Sequence, residues 1–130
     1  MIAYLDTSAA IKLLVEEAES AGLSSYLQGL GTDLDLVASW LLHTELHCAA
    51  NRHPNDIDLG AVALLLEAVT LVDLTRGDLL TAGALPGRLR SNDAVHLATA
   101  LRLGVTELIS YDAELLAAAQ QAGLAVAQPS

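Results

Sequence analysis

Short apolar runs alternate with longer helical patterns along this 130-residue chain, and that alternation constrains the fold more than any other feature. Ile2 to Leu5 is a strand candidate ending at Asp6, with Thr7 and Ser8 as cap candidates for a helix through Ala9–Leu14. A helical pattern over 19–30 stops near Gly29 and Gly31, and a second strand is expected over Leu34–Ala38. Ser39 then caps a helix from Trp40 to about Arg52, ended by Pro54. Asp56–Ala68 reads as helix and Val69–Leu74 as strand, followed by the turn group Thr75-Arg76-Gly77 and a short helix over Asp78–Gly83. Ser91 caps an Ala- and Leu-rich helix over Asn92–Leu103, stopped by Gly104. Glu107–Tyr111 is the next strand, Ala113–Ala122 the last helix, and Leu124–Ala127 a closing strand. Strands separated by helices require crossover connections, so the fold class is α/β with a parallel sheet covered on both faces. Ligands of such sheets bind beyond the carboxyl ends of the strands, where Asp6 and Asp112 are expected.

The length and a hydrophobic content of 53% fit one domain over residues 1–130 with its own core. Met1-Ile2-Ala3-Tyr4-Leu5 has no basic leader and is broken at once by Asp6, and no later stretch is long and uncharged enough for a bilayer, so a cytoplasmic protein is expected. Cys48 is the one cysteine and cannot form an internal disulfide. The net charge of −10 argues against a nucleic-acid substrate, unless divalent metal or a basic protein partner neutralises part of it.

Four acids stand out. On a helix starting near Trp40, Glu45 shares a face with Leu41, Leu42, Leu46 and Ala49. A carboxylate on an apolar stripe needs a metal, an arginine, or solvent at the stripe's end. Asp93 falls in the first turn after Ser91, where its charge complements the helix dipole; a capping role and a ligand role are both open. Asp6 ends the first strand and Asp112 a later one, so a parallel sheet can bring these acids to one rim. Crowded carboxylates repel, and Mg²⁺ or Mn²⁺, which take oxygen ligands, would relieve that repulsion and activate water at a phosphate.

Four segments, Tyr4-Leu5-Asp6-Thr7-Ser8-Ala9, Thr44-Glu45-Leu46, Asn92-Asp93-Ala94-Val95-His96-Leu97-Ala98-Thr99-Ala100 and Ile109-Ser110-Tyr111-Asp112-Ala113-Glu114-Leu115, occur in this order over essentially the whole chain. In order, spacing and length the chain resembles the PIN domain, and in particular the VapC-type toxins of bacterial toxin–antitoxin pairs. The resemblance implies an α/β/α sandwich, Asp6 and Asp93 as principal metal ligands, and Glu45 and Asp112 completing the acidic pocket. Ser8 and Ser110 look like hydroxyls that orient those acids, position 110 being often threonine in the family. It further implies a metal-dependent ribonuclease acting on tRNA, rRNA or mRNA, a VapB-type antitoxin, and a homodimer.

The remaining polar candidates have plainer readings. His43 and His47 have metal-ligand spacing, but Glu45 points away from them, so a polar surface strip with Thr44 and Asn51 is expected. His96, one turn beyond Asp93, is expected to be packed and hydrogen-bonded, and Cys48 to behave as a small hydrophobe. Arg88 and Arg90 are candidates for gripping RNA phosphate or simply solvated, and Glu16, Glu17 and Glu19 a solvated helix end or a contact for a basic partner. Three rival functions are open. An aspartate-nucleophile phosphatase usually carries a second Asp two residues after the first, a place held here by Ser8. A phosphoacceptor receiver-like module needs a late lysine, but Lys12 is the only lysine. A PIN-like binding module without activity is the third.

Overall fold

The computed structural model describes residues 1–130. In chain order the elements are β1 (Ile2–Leu5), α1 (Thr7–Leu14), α2 (Ser20–Gly29), β2 (Asp35–Ser39), α3 (Leu41–Arg52), α4 (Leu59–Glu67), β3 (Thr70–Val72), α5 (Arg76–Ala84), α6 (Ser91–Leu103), β4 (Glu107–Ile109), α7 (Ala113–Gln121) and β5 (Ala125–Ala127). All four strand pairings are parallel, in the order β3-β2-β1-β4-β5. The α/β class and the sandwich expected from the sequence are what the chain adopts: α1 to α4 pack among themselves, and α6 packs with α5 and α7.

The central strands owe their place to their apolar content. Ala3, Tyr4, Leu5, Val37, Ala38, Leu108 and Ile109 are all buried, as expected for strands covered on both faces. The sheet is built outward from β1, first through β2 to β3 and then, after one return crossover, through β4 to β5. Strand order therefore reverses between β1 and β4, and the crevice beyond the ends of these two strands is the natural ligand site of such a sheet. Asp6 lies immediately past β1, its amide donating to the Ile109 carbonyl at 3.2 Å.

Element boundaries differ from expectation where side-chain caps compete. Thr7 and Ser8 do not cap α1; Asp6 does, accepting from the Ala9 amide at 2.9 Å, because the strand runs into the helix with no spare turn residue. Ser91 is the first helical residue of α6 rather than its cap; extended Arg90 takes that place without a side-chain bond. The helix expected from Asp56 starts at Leu59, since Asp58 accepts from the Ala61 amide. Thr75-Arg76-Gly77 is not a free turn: Thr75 and Asp78 form a reciprocal capping box that starts α5 at Arg76. Gly104 ends α6 in the left-handed conformation (φ 62°), as glycine at that place favours.

Asp78 also fastens α5 to α6. Its carboxylate, 2% exposed, receives Arg102 Nε at 2.7 Å and Nη2 at 2.9 Å, while Nη2 also reaches the Asp73 carbonyl at 3.1 Å. The fork holds Asp78 below the usual carboxylate range, through the hydrogen bonds from Arg102 first. Arg102→Ala would strand a buried carboxylate, so a loss of about 2 kcal/mol is expected, read as a lower urea midpoint. An unchanged midpoint would show that α5 and α6 are held by apolar packing alone.

Candidate active site

Asp6 is the most tightly held acid. It is 1% exposed, and Oδ1 accepts from Ser8 Oγ (2.8 Å) and the Ala9 amide (2.9 Å) while Oδ2 accepts from Ser110 Oγ (2.7 Å). Ser8 also lies 3.0 Å from Oδ2, but one hydroxyl proton serves one strong bond, so Oδ2 keeps a free acceptor position. The hydroxyls are fixed in turn from the β4–α7 connection, with the Tyr111 amide donating to Ser8 Oγ at 2.9 Å and the Asp112 amide to Ser110 Oγ at 3.0 Å. Burial pushes the Asp6 carboxyl up, opposed by the bonds from Ala9, Ser110 and Ser8.

Asp112 caps α7, Oδ1 accepting from the Leu115 amide at 2.8 Å. Glu45, on the second turn of α3, is tied by three side chains instead: Thr7 Oγ1 (2.7 Å) and His96 Nε2 (2.5 Å) on Oε1, and Asn92 Nδ2 (2.8 Å) on Oε2. Burial works to raise its pKa, yet the bonds from His96, Asn92 and Thr7 outweigh it and hold the carboxyl below its ordinary value. Asp93, in the first turn of α6, accepts no comparable bond. Its carboxyl is pushed up to about 6, by burial first and then by the charges of Asp112 and Asp6, with Glu45 adding to them.

The four acids expected from the sequence thus act on one another across one crevice. No three acids, histidines or cysteines stand together as a finished ligand set. The donor chemistry still fits a hard cation: oxygen ligands only, a free position on Asp6 Oδ2, and an Asp93 raised by burial first and by its fellow acids second.

Beside Glu45 opens a groove of about 580 Å³ between α1, α3 and the segment after α3. Ile11, Val15, Ala49 and Ile57 give it an apolar wall, and Glu45, Arg52 and Asn92 a polar one. Asp6, Asp93 and Asp112 lie outside its lining, so the larger hollow flanks the acidic crevice without containing it. Cys48 is exposed on this groove, because it falls on the side of α3 turned from Leu42, Leu46, Ala49 and Ala50. His43 and His47 stack with ring centroids 4.2 Å apart, and His47 Nδ1 donates to the His43 carbonyl at 2.7 Å. His96 is fully buried and hydrogen-bonded, as anticipated, although its partners are Glu45 and Tyr4 rather than Asp93.

Arg88 and Arg90 are exposed just ahead of α6 and form no ion pair. Lys12 is bound at 2.8 Å to both Glu17 and Glu19, which removes it from any phosphoryl site. Thr7, Asn92 and Arg52 were missed by sequence reasoning. Thr7 and Asn92 stand next to Asp6 and Asp93, a signal that adjacency could have supplied; Arg52 was hidden because only folding of the segment after α3 brings it to the groove.

A family model described as PIN domain matches residues 3–121. The chain belongs to the PIN-domain family. Among its relatives, this PIN chain is 41% identical to "Ribonuclease VapC46" of Mycobacterium tuberculosis, across 98% of its own length and 97% of the relative's. It is 32% identical to "Ribonuclease VapC47" of the same species, across 97% and 96%. Its fold matches that in the crystal structure of VapBC2 from Rickettsia felis bound to a promoter DNA fragment, with a TM-score of 0.78 and 13% identity over the whole of both chains. It also matches M. tuberculosis VapC20, described as a sarcin-ricin loop cleaving toxin, with a TM-score of 0.76 and 17% identity over 98% and 99% of the two chains. At such identities the structural likeness establishes the PIN fold alone.

The raised pKa of Asp93 has a stability consequence. Its folded value lies above the unfolded 3.8, so the folded state holds the extra proton between these values, and stability falls as pH rises through about 6. In the metal-free protein, Asp93→Asn is therefore expected to raise stability by about 1 kcal/mol at pH 8, after discounting for partial exposure, and to change little near pH 4. Thermal midpoints in EDTA at the two pH values check this; an equal gain at both would remove the ionisation of Asp93 as the cause.

Proposed function

We propose that the chain is a single-domain, Mg²⁺- or Mn²⁺-dependent endoribonuclease, the toxin of a toxin–antitoxin pair. The observation that carries this reading is the gathering of Asp6, Glu45, Asp93 and Asp112 at the strand-order reversal, with Asp93 lifted to about 6 by burial and by its fellow acids. The relative called Ribonuclease VapC46, 41% identical over nearly the full chain, supports it.

In this reading Asp6 and Asp93 are the principal metal ligands, and Glu45 and Asp112 complete the site. When bound, the divalent ion supplies positive charge at the phosphate and makes water a better nucleophile at neutral pH. Ser8 and Ser110 hold Asp6 in one orientation. Thr7 and Asn92 donate to the two oxygens of Glu45. Arg88 and Arg90, exposed and free of acidic partners, grip the RNA backbone. Water attacks phosphorus in line and the bond to the 3′ oxygen breaks, leaving a 5′-phosphate and a 3′-hydroxyl.

A basic VapB-type antitoxin is the proposed partner, in keeping with the net charge of −10 and with neighbours of like fold such as the toxin–antitoxin complex from Klebsiella pneumoniae. A homodimer pooling two RNA-binding surfaces and a cytoplasmic location belong to the same proposal; no helix is long and apolar enough to cross a membrane.

Purified chain incubated with total RNA should cut it with Mg²⁺ or Mn²⁺ and stop with EDTA. Asp6→Asn and Asp93→Asn should lose at least 100-fold, taken as an order-of-magnitude expectation for a removed metal ligand or essential acid. An oligonucleotide with a single 2′-deoxy residue at the cleaved bond should still be cut. RNA degraded equally by wild type and both variants would refute the assignment, and loss of cleavage at the deoxy site would refute attack by water.

A further inference from the structure

His96 is a fully buried polar side chain in contact with the acidic crevice, and the proposed reaction gives it no chemical step. Its two nitrogens face different partners. Nδ1 lies 2.7 Å from Tyr4 Oη, and Nε2 lies 2.5 Å from Glu45 Oε1, with Thr7 Oγ1 at 3.2 Å. Tyr4 is itself buried in β1, at the centre of the sheet, and its ring meets the imidazole edge-on with centroids 5.6 Å apart.

One assignment of protons serves every member of this chain. Tyr4 Oη accepts the Ser39 amide at 3.0 Å, so its own hydrogen is left to donate, and His96 Nδ1 is the acceptor within reach. With Tyr4 donating to Nδ1, the ring hydrogen sits on Nε2, aimed at Glu45 Oε1. A hydrogen on Nδ1 instead would turn the Tyr4 hydroxyl proton toward the Ser39 side chain, its other polar neighbour.

The four acids differ in what holds them. Asp6 and Asp112 accept backbone amides of their own helix caps, so their orientation comes with the fold. Glu45 has only side-chain donors, of which Thr7 and Asn92 sit at the rim, and His96 alone is anchored from behind through the sheet. We propose that His96 is a positioning residue for Glu45: an imidazole protonated on Nε2 and locked by Tyr4 and the Ser39 amide, which holds the Glu45 carboxylate in a single orientation at the crevice. The line Ser39, Tyr4, His96, Glu45 thereby connects β2, β1, α6 and α3. Its catalytic significance rests on the nuclease reading; its geometry does not.

Two measurements separate these. Long-range ¹H–¹⁵N spectra of the metal-free wild type should show His96 protonated on Nε2 alone, with a slowly exchanging Nε2 proton whose resonance moves upfield in Glu45→Gln. Protonation on Nδ1, or a resonance indifferent to Glu45→Gln, overturns the proposal whether or not the protein cuts RNA. Mn²⁺ binding, followed by electron paramagnetic resonance without RNA, supplies the second readout. His96→Asn, which lacks a donor at the Nε2 position, should weaken Mn²⁺ binding about tenfold, and His96→Gln, which restores that donor, should recover most of it. In a Glu45→Gln background His96→Asn should add nothing; an equal loss with and without Glu45, or no rescue by Gln, would mark His96 as packing only. A wild type that shows the expected tautomer but neither binds Mn²⁺ nor cuts RNA would refute the nuclease reading and leave the positioning of Glu45 standing.

Discussion

The buried carboxylate of Asp6 is the interaction around which the rest of the site is arranged. It sits where the sheet changes direction, and it can remain there only because two serine hydroxyls and one helix amide replace the water it has lost. Those hydroxyls accept the amides of Tyr111 and Asp112, so one carboxylate joins the end of β1, the start of α1 and the connection from β4 to α7. The geometry of Asp112 follows from this knot.

Glu45 and Asp93 are arranged by different means. Glu45 is held from outside its own helix, whereas Asp93 is placed by the start of α6 and left without a strong donor. At its far end, more than two turns from the acids, α6 is tied to α5 by the fork between Arg102 and Asp78. The uneven support also explains the uneven electrostatics: the acid with donors stays ionised easily, and the acid without them is raised by its neighbours.

Much of this could be read from the residues. The alternation of apolar runs and helical patterns led to a parallel α/β sheet because crossovers leave few other choices, and Glu45 was marked by its place on an apolar stripe. The caps were harder. Thr7, Ser8 and Ser91 all have good capping chemistry, but Asp6 and Arg90 hold the cap positions, since chain direction at the strand ends decides among candidates that propensity ranks alike. Long-range pairings such as His96 with Glu45, 51 residues apart, leave no local trace. The net charge of −10 understates how few cations remain free. Of its six cations, Lys12 and Arg102 are committed to internal acids, so the basic surface is sparser still than composition suggests.

That Asp6 and Asp112 serve as helix caps has a bearing on how such a chain can change over generations. A substitution at either position that removes the side-chain acceptor costs about 1 kcal/mol of cap energy in addition to any lost chemistry. Asp93 carries no such structural duty, and its neutralisation relieves repulsion. Descendants that abandon the chemistry therefore have an easy route through position 93 and a steep one through position 6, and an intact Asp6 in a relative is weak testimony that the relative still works.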